Sequence, residues 1–218
     1  MQVLKDILVR GAEQIGVLLT AEVVESYLNY SDELKKWNKK INLTSLTGDV
    51  EIGIKHFVDS LTVAPYLRGV KRVLDIGTGA GFPGLPLKIL SPSIDLLLLE
   101  SSQKKYFFLR HVVRELHLTG VEIVHGRAQD REINKRYAGS FDLVVSRALA
   151  DLPTSLQLAL PFTKKEGHMV GMRGKRGKEE QGETDWESLG LRLIEMREVV
   201  LPFVEETRVI LLFQRSEI

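Results

Sequence analysis

A chain of 218 residues that is 44% hydrophobic and 27% charged has the size of one folded domain and is too apolar to be disordered. It contains no cysteine, which excludes disulfides, cysteine-ligated zinc, iron–sulfur clusters and any thiolate nucleophile. The net charge of +1 argues against a strong bulk attraction to nucleic acid.

No apolar run reaches the roughly 18–20 residues that cross a bilayer. The start, Met1 to Asp6, lacks the basic-then-apolar order of a signal peptide. A cytoplasmic location is therefore expected. Residues 1–45 read as helical. Val3, Leu4, Ile7 and Leu8 suggest a first short helix. Val23, Tyr27, Tyr30, Leu34, Trp37 and Ile41 recur every three or four residues, one apolar stripe at the helical period, with Thr20 placed to cap its start. A further helix is expected from Glu51 to about Tyr66, ending near Pro65 and Gly69.

The pattern then changes to short apolar runs. These are Arg72–Ile76, Ile94–Glu100, Val121–Val124, Phe141–Ser146 and His168–Met172, separated by helix-like segments such as Lys104–Leu116 and Pro153–Leu160. Near-continuous apolar strands alternating with helices point to a mostly parallel sheet covered on both faces. Glu195–Leu201 and Thr207–Gln214, joined by a short turn, read as an antiparallel hairpin at the sheet edge. Gly174–Gly182 reads as a mobile loop, rich in glycine and charge. The expected organisation is a helical extension, residues 1–68, on a Rossmann-like core of seven strands, residues 69–218.

Cations gather in three places: Lys35, Lys36, Lys39 and Lys40; Lys104, Lys105, Arg110 and Arg114; Lys164, Lys165, Arg173, Lys175, Arg176 and Lys178. Singly, each reads as solvated surface. On one shared face they would suit a polyanion.

Val73–Ile76 runs into Gly77-Thr78-Gly79-Ala80-Gly81, and Pro83 follows where a helix can begin. Glycine is required where the turn needs positive φ and where a ligand approaches the backbone. The helix start would offer free amides to that ligand. Gly79 to Gly84 also satisfies the dinucleotide pattern G-x-G-x-x-G, and Glu100 lies where an acid would bond ribose hydroxyls in either cofactor. Three features favour S-adenosylmethionine. Asp75 stands two residues before the first glycine, where its carboxylate can reach an aminoacyl group directly or through water. Pro83 falls inside the pattern. A separate hydride-acceptor domain is not expected in these 218 residues.

What the chain lacks narrows the acceptor. C5 methylation of a pyrimidine needs a cysteine, and exocyclic amine methylation usually needs Asn-Pro-Pro-Tyr, where this chain reads Val145-Ser146-Arg147-Ala148. A ring nitrogen with an in-plane lone pair, such as guanine N7, needs only positioning. Arg147 could hydrogen-bond guanine O6 or a phosphate, or serve only as a structural ion pair. Gly126 to Asp130 suits the adenine side, with Gln129 or Asp130 as acceptor and the Ala128 amide as donor. His56 and Asp59 lie one helical turn apart. The scattered histidines have no metal-ligand spacing.

Trp37-Asn38-Lys39-Lys40-Ile41-Asn42-Leu43-Thr44, His56-Phe57-Val58-Asp59-Ser60-Leu61 and Leu74 to Leu87, with its Phe82-Pro83-Gly84-Leu85-Pro86-Leu87, resemble the bacterial ribosomal RNA small-subunit methyltransferase G family, also called the glucose-inhibited division protein B family. The resemblance covers nearly the whole chain. It implies a class I S-adenosylmethionine-dependent methyltransferase that modifies guanine N7 at position 527 of 16S rRNA, in the 530 loop. On the cofactor it implies Gly77, Phe82, Glu100, Ser101, Ser102, Ala128, Gln129 and Arg147, and the reading of the glycine loop adds Asp75, Gly79 and Gly81. The RNA candidates are Lys39, Lys40, His56, Arg110, Arg173, Lys175 and Arg176. No metal is expected, and the partner is 16S rRNA within the 30S subunit or its assembly intermediate, met by a monomer. Glu100 replaces the family's commoner Asp, and Gln129 its commoner Glu. A small-molecule methyltransferase and a non-catalytic ribosome-assembly factor remain as alternatives.

Overall fold

In a computed structural model describing residues 2–216, strand residues at the expected places assemble into one seven-stranded sheet of order β3-β2-β1-β4-β5-β7-β6. The strands are β1 (Arg72–Ile76), β2 (Asp95–Glu100), β3 (Val121–His125), β4 (Phe141–Arg147), β5 (Thr163–Arg173), β6 (Leu191–Val200) and β7 (Thr207–Arg215). The first five are parallel, and β7 runs antiparallel to both β5 and β6. The hairpin is therefore present, but of its two strands only β6 lies at an edge of the sheet, the other edge being β3; β7 sits inside. Strand order reverses between β1 and β4, so a crevice is expected at their carboxyl ends.

Alternate residues face opposite layers, as the two-residue strand period requires. Val73, Leu96, Leu98, Leu143 and Val145 pack in one core, while Leu74, Leu97, Leu99, Val144 and Phe213 pack in the other. Both faces are thus covered, which is why the central strands are apolar throughout.

The first core also contains the N-terminal helices α1 (Gln2–Gln14) and α2 (Ala21–Ile41), together with α5 (Gly84–Leu90) and α6 (Gln103–Glu115). Thr20 caps α2, accepting the Val23 amide. Of the predicted stripe, Tyr27, Tyr30 and Leu34 are fully buried. The second core is closed by α7 (Arg131–Tyr137) and α8 (Leu152–Ala159).

The third N-terminal helix differs from the simple helix expected. It begins as α3 (Asp49–Ile52), widens into a π-helical stretch over Gly53–Val58 and ends as α4 (Asp59–Leu61), with a separate 3-10 turn at Ala64–Leu67 where Pro65 blocks continuation. The loop expected at Gly174–Gly182 also differs, because Gly177–Gly182 forms α9. Glu180 holds it, accepting the Leu152 amide at 3.0 Å and lying 3.4 Å from Arg173 Nε. Among the described residues no helix is long and apolar enough to cross a membrane.

Candidate active site

Two clefts flank the segment Arg147–Leu149 at the carboxyl ends of the strands. The first, about 240 Å3, follows β1, β2 and β3 and is lined by Gly77, Ser101, Ala128, Gln129 and Leu149 among others. Gly77, Gly79 and Gly81 take φ of 66°, 64° and 95°, conformations that side-chain-bearing residues avoid. Four of the predicted cofactor positions are thus brought to one wall.

The loop is held by two acids. Glu100, buried at the end of β2, accepts the Gly79 amide on Oε2 (2.8 Å) and the Ser102 amide on Oε1 (2.7 Å). Asp75, fully buried in β1, accepts the Thr78 hydroxyl (2.6 Å) and the Gly84 amide (2.8 Å) on Oδ2. The start of α5 is therefore turned toward Asp75 rather than toward the cleft. Asp75 Oδ1 has no partner among the described residues. Burial pushes the Asp75 carboxyl up to about 6, against the opposing pull of its two hydrogen bonds.

In the loop after β3 Ala128 is buried and Gln129 exposed. Asp130 Oδ2 is committed to its own loop, accepting the Arg127 amide at 2.7 Å. Ser101 is exposed, and its carbonyl accepts from His125 Nε2 at 3.0 Å.

The second cleft, about 360 Å3, lies between the N-terminal helices and the ends of β4, β5 and β7. Asp59 is buried at its base. Arg147 bonds it through Nη1 at 3.2 Å and Arg208 through Nε at 3.0 Å. Burial raises the Asp59 pKa, and the two guanidiniums pull it back. Arg147 Nη1 also donates to the Lys55 carbonyl (2.9 Å), and Nη2 lies 3.3 Å from His56 Nδ1. A guanidinium only donates, so Nδ1 is the acceptor. The ring proton is thereby assigned to Nε2, 2.9 Å from Thr44 Oγ1.

The sequence motifs have local reasons. Asn38 pins the chain after α2, donating to the Thr44 carbonyl and accepting its amide, both at 2.9 Å. Asn42 ends α2 in the left-handed conformation, φ 51°. These two residues deliver Thr44 to His56. Phe82 lies nearly parallel to His56, centroids 4.4 Å apart, and to Tyr30 at 5.1 Å, while the Arg147 guanidinium lies 5.5 Å from its ring centre. The N-terminal helices thus clamp the glycine loop.

Burial, then the Arg147 charge, push the His56 ring down to about 3. The unfolded ring binds a proton below about 6.5 and the folded ring does not. His56 therefore contributes stability above about pH 6.5 that is lost as pH falls toward 3. Urea unfolding of the protein and of His56→Gln should diverge below pH 6.5, the parent losing about 1.4 kcal/mol per pH unit relative to the variant. Parallel curves would contradict a neutral buried His56.

The RNA candidates separate into two groups. Lys39, Lys40, Arg110, Lys175 and Arg176 are exposed. His56 and Arg173 are buried, and Arg173 bonds Ser155 Oγ at 2.9 Å besides facing Glu180. Lys55, Thr44 and Arg208 join the site without being expected there from the sequence. Thr44 and the His56–Asp59 spacing carried some signal, but Arg208 carried none.

A Rossmann-like sheet with a glycine loop after β1, an acid ending β2 and clefts at the switch point defines a class I S-adenosylmethionine-dependent methyltransferase. The sequence model of one family, described as rRNA small subunit methyltransferase G, matches residues 23–208, and the chain belongs to that family. A ribosomal RNA small subunit methyltransferase G from Geobacter sp. (strain M21) is 42% identical over 99% of this chain and 100% of its own. One from Desulfitobacterium hafniense (strain Y51) is 45% identical over 77% of this chain and 70% of its own. Among solved structures, a SAM dependent methyltransferase from Aquifex aeolicus matches with TM-score 0.59 and 18% identity over 79% of this chain and 96% of that one. A precorrin-6y C5,15-methyltransferase from Geobacter metallireducens matches with TM-score 0.54 and 17% identity over 72% and 87%. At these identities the two structures share the fold alone.

Proposed function

We propose that the chain transfers a methyl group from S-adenosylmethionine to N7 of guanosine 527 in 16S rRNA, within the 30S subunit or an assembly intermediate of it, as a cytoplasmic monomer. The observation that carries this is the pair of clefts on either side of Arg147–Leu149, one glycine-walled and one rich in cations. Gly77, Ser101, Ala128 and Gln129 would hold the cofactor, with Glu100 at its ribose and the unpartnered Asp75 Oδ1 toward its aminoacyl end. Gly79, Gly81, Phe82 and Ser102 shape that site. Bound there, the cofactor supplies an electrophilic methyl group, and N7 accepts it on an in-plane lone pair without losing a proton. The residues therefore need only to orient and desolvate the base. Arg147, held by Asp59, His56 and Lys55, keeps a fifth of its side chain exposed toward the second cleft, where it would orient guanine or its phosphate. His56, neutral and hydrogen-bonded on both nitrogens, acts through Arg147 as a positioning residue. Phosphates would meet Lys39, Lys40, Arg110, Lys175 and Arg176, and Arg173, paired with Glu180, anchors the helix α9 that follows the last two.

The test is incubation with tritiated S-adenosylmethionine and 30S subunits from a strain lacking this enzyme. Label in 16S rRNA is expected. Cofactor binding with no label on any RNA would overturn the proposal. Removing the charges of Lys175, Arg176 and Lys178 should flatten the dependence of RNA affinity on salt, by about 0.7–0.9 in log–log slope for each phosphate no longer neutralised. An unchanged slope would take that segment out of the interface.

A further inference from the structure

Helix α6 and the edge strand β3 leave between them a groove of about 560 Å3 that includes none of the residues assigned above to the cofactor or the target base. Tyr106, Arg110 and Arg114 form one wall, and Val121 and Ile123 the other. The Arg110 guanidinium lies 5.8 Å from the Tyr106 ring centre, and the His125 ring, at the end of β3, lies 5.5 Å from it. Phe107 is not part of the groove lining but stands at its rim, its ring centre 5.5 Å from that of Tyr106, and is 48% exposed. An aromatic ring of that exposure on a charged helix has little to pack against in the folded chain.

The surroundings are basic. Lys104, Arg110 and Arg114 are exposed on α6 and Lys105 is half-buried. The nearby carboxylates are already paired: Glu115 with Arg114 (3.0 Å), Glu33 with His111 (2.6 Å), and Glu122 with Arg136 (3.1 Å) and the Tyr137 hydroxyl (2.5 Å). Interleaved cations and open aromatic faces are what a single-stranded nucleic acid recognises: rings stack the bases and arginines track the phosphates. A protein-docking groove would favour a less charged core. The groove also starts close to the cofactor segment, since α6 follows directly on Glu100–Ser102 and His125 bonds the Ser101 carbonyl.

We infer that the α6–β3 groove binds an unpaired nucleotide of the RNA substrate other than the one methylated, with its base stacked on Phe107 at the groove's rim beside Tyr106 and its phosphate at Arg110. This rests on the ribosomal RNA reading above and adds a second point of attachment to it. Two such points fix the orientation of an RNA on the enzyme where a single flipped base leaves it free to swing.

The experiment uses the full chain and a short unpaired RNA oligonucleotide carrying 2-aminopurine, whose fluorescence falls on stacking, alongside methyl transfer to 30S subunits. The parent protein should quench the probe. Phe107→Ala should weaken oligonucleotide binding about fivefold to tenfold and raise KM for 30S subunits comparably, with kcat retained. Phe107→Trp should restore both, and Arg110→Gln should lower the salt slope by about 0.7. No quenching by the parent, or equal binding by Phe107→Ala, would overturn the inference. So would a raised KM with oligonucleotide binding intact, which would assign the groove to a ribosomal protein. Failure of the parent to label 16S rRNA while still quenching the oligonucleotide would count against the proposed reaction and not against the groove.

Discussion

Arg147→Ala is expected to lower methyl transfer to 30S subunits by at least about a hundredfold, the scale seen when a preorganised donor is removed from a reaction site. It should also lower stability by about 2–3 kcal/mol. Deleting one partner of a buried ion pair commonly costs about 3–5 kcal/mol. Here Arg208 still faces Asp59, at 3.0 Å, and Arg147 is 20% exposed, so the loss is smaller. Both losses follow from one arrangement, and Arg147→Lys separates them. Lysine keeps a charge beside Asp59 but cannot donate in a fork to Lys55, Asp59 and His56 together. Stability should return to within about 1 kcal/mol of the parent, while turnover stays low. If turnover returned together with stability, Arg147 would be a structural ion pair and nothing more. The readouts are urea unfolding and single-turnover transfer.

Gly77→Ala and Gly81→Ala are expected to fail in different ways, although both glycines lie in one loop at positive φ. A Cβ on Gly77 would point at the Leu149 side chain, and both residues line the first cleft. Leu149 can move, so the main consequence falls on the ligand: cofactor affinity should drop more than about tenfold (1.4 kcal/mol) for about 1–2 kcal/mol of stability. A Cβ on Gly81 would point into the core, at the Tyr30 hydroxyl, Leu85 and Leu109. Overpacking of about 1–3 kcal/mol then adds to the backbone strain. Tyr30 donates to the Ala80 carbonyl and stacks on Phe82, so the disturbance spreads to the clamp on the loop. Gly81→Ala should therefore lose about 3 kcal/mol of stability. Calorimetric titration and thermal unfolding distinguish the two, and equal profiles for both variants would contradict this division.

The central strands were legible because both sheet faces are buried, and a short apolar run then stands out. Arg72–Ile76 matches β1 residue for residue. The later strands were clipped for the opposite reason. β5 begins at Thr163 with Lys164, Lys165 and Glu166, which show no apolar signal, and β6 begins at Leu191, four residues before the expected Glu195, where Arg192 interrupts the apolar Leu191, Leu193 and Ile194. The π-helical stretch at Gly53–Val58 was not legible at all, since its residues have no composition that distinguishes it from an α-helix. In the site, the glycine loop and Glu100 could be read because they are near neighbours in the chain. The cation cleft could not. Arg147 meets Asp59 across 88 residues and Arg208 meets it across 149, and only tertiary packing brings them together. Asp75 illustrates a third limit. Its position before the glycines was visible, but not that Oδ2 would be spent on Thr78 and Gly84.

The most direct measurement is the position of the methyl group. After reaction, 16S rRNA from subunits lacking the modification is reduced with borohydride and cleaved with aniline, which breaks the chain at N7-methylguanosine. Scission at position 527, dependent on S-adenosylmethionine and lost in Arg147→Lys, is the expected result. Efficient methylation at another atom or another nucleotide, with position 527 left intact, would contradict the assignment of the two clefts to this reaction.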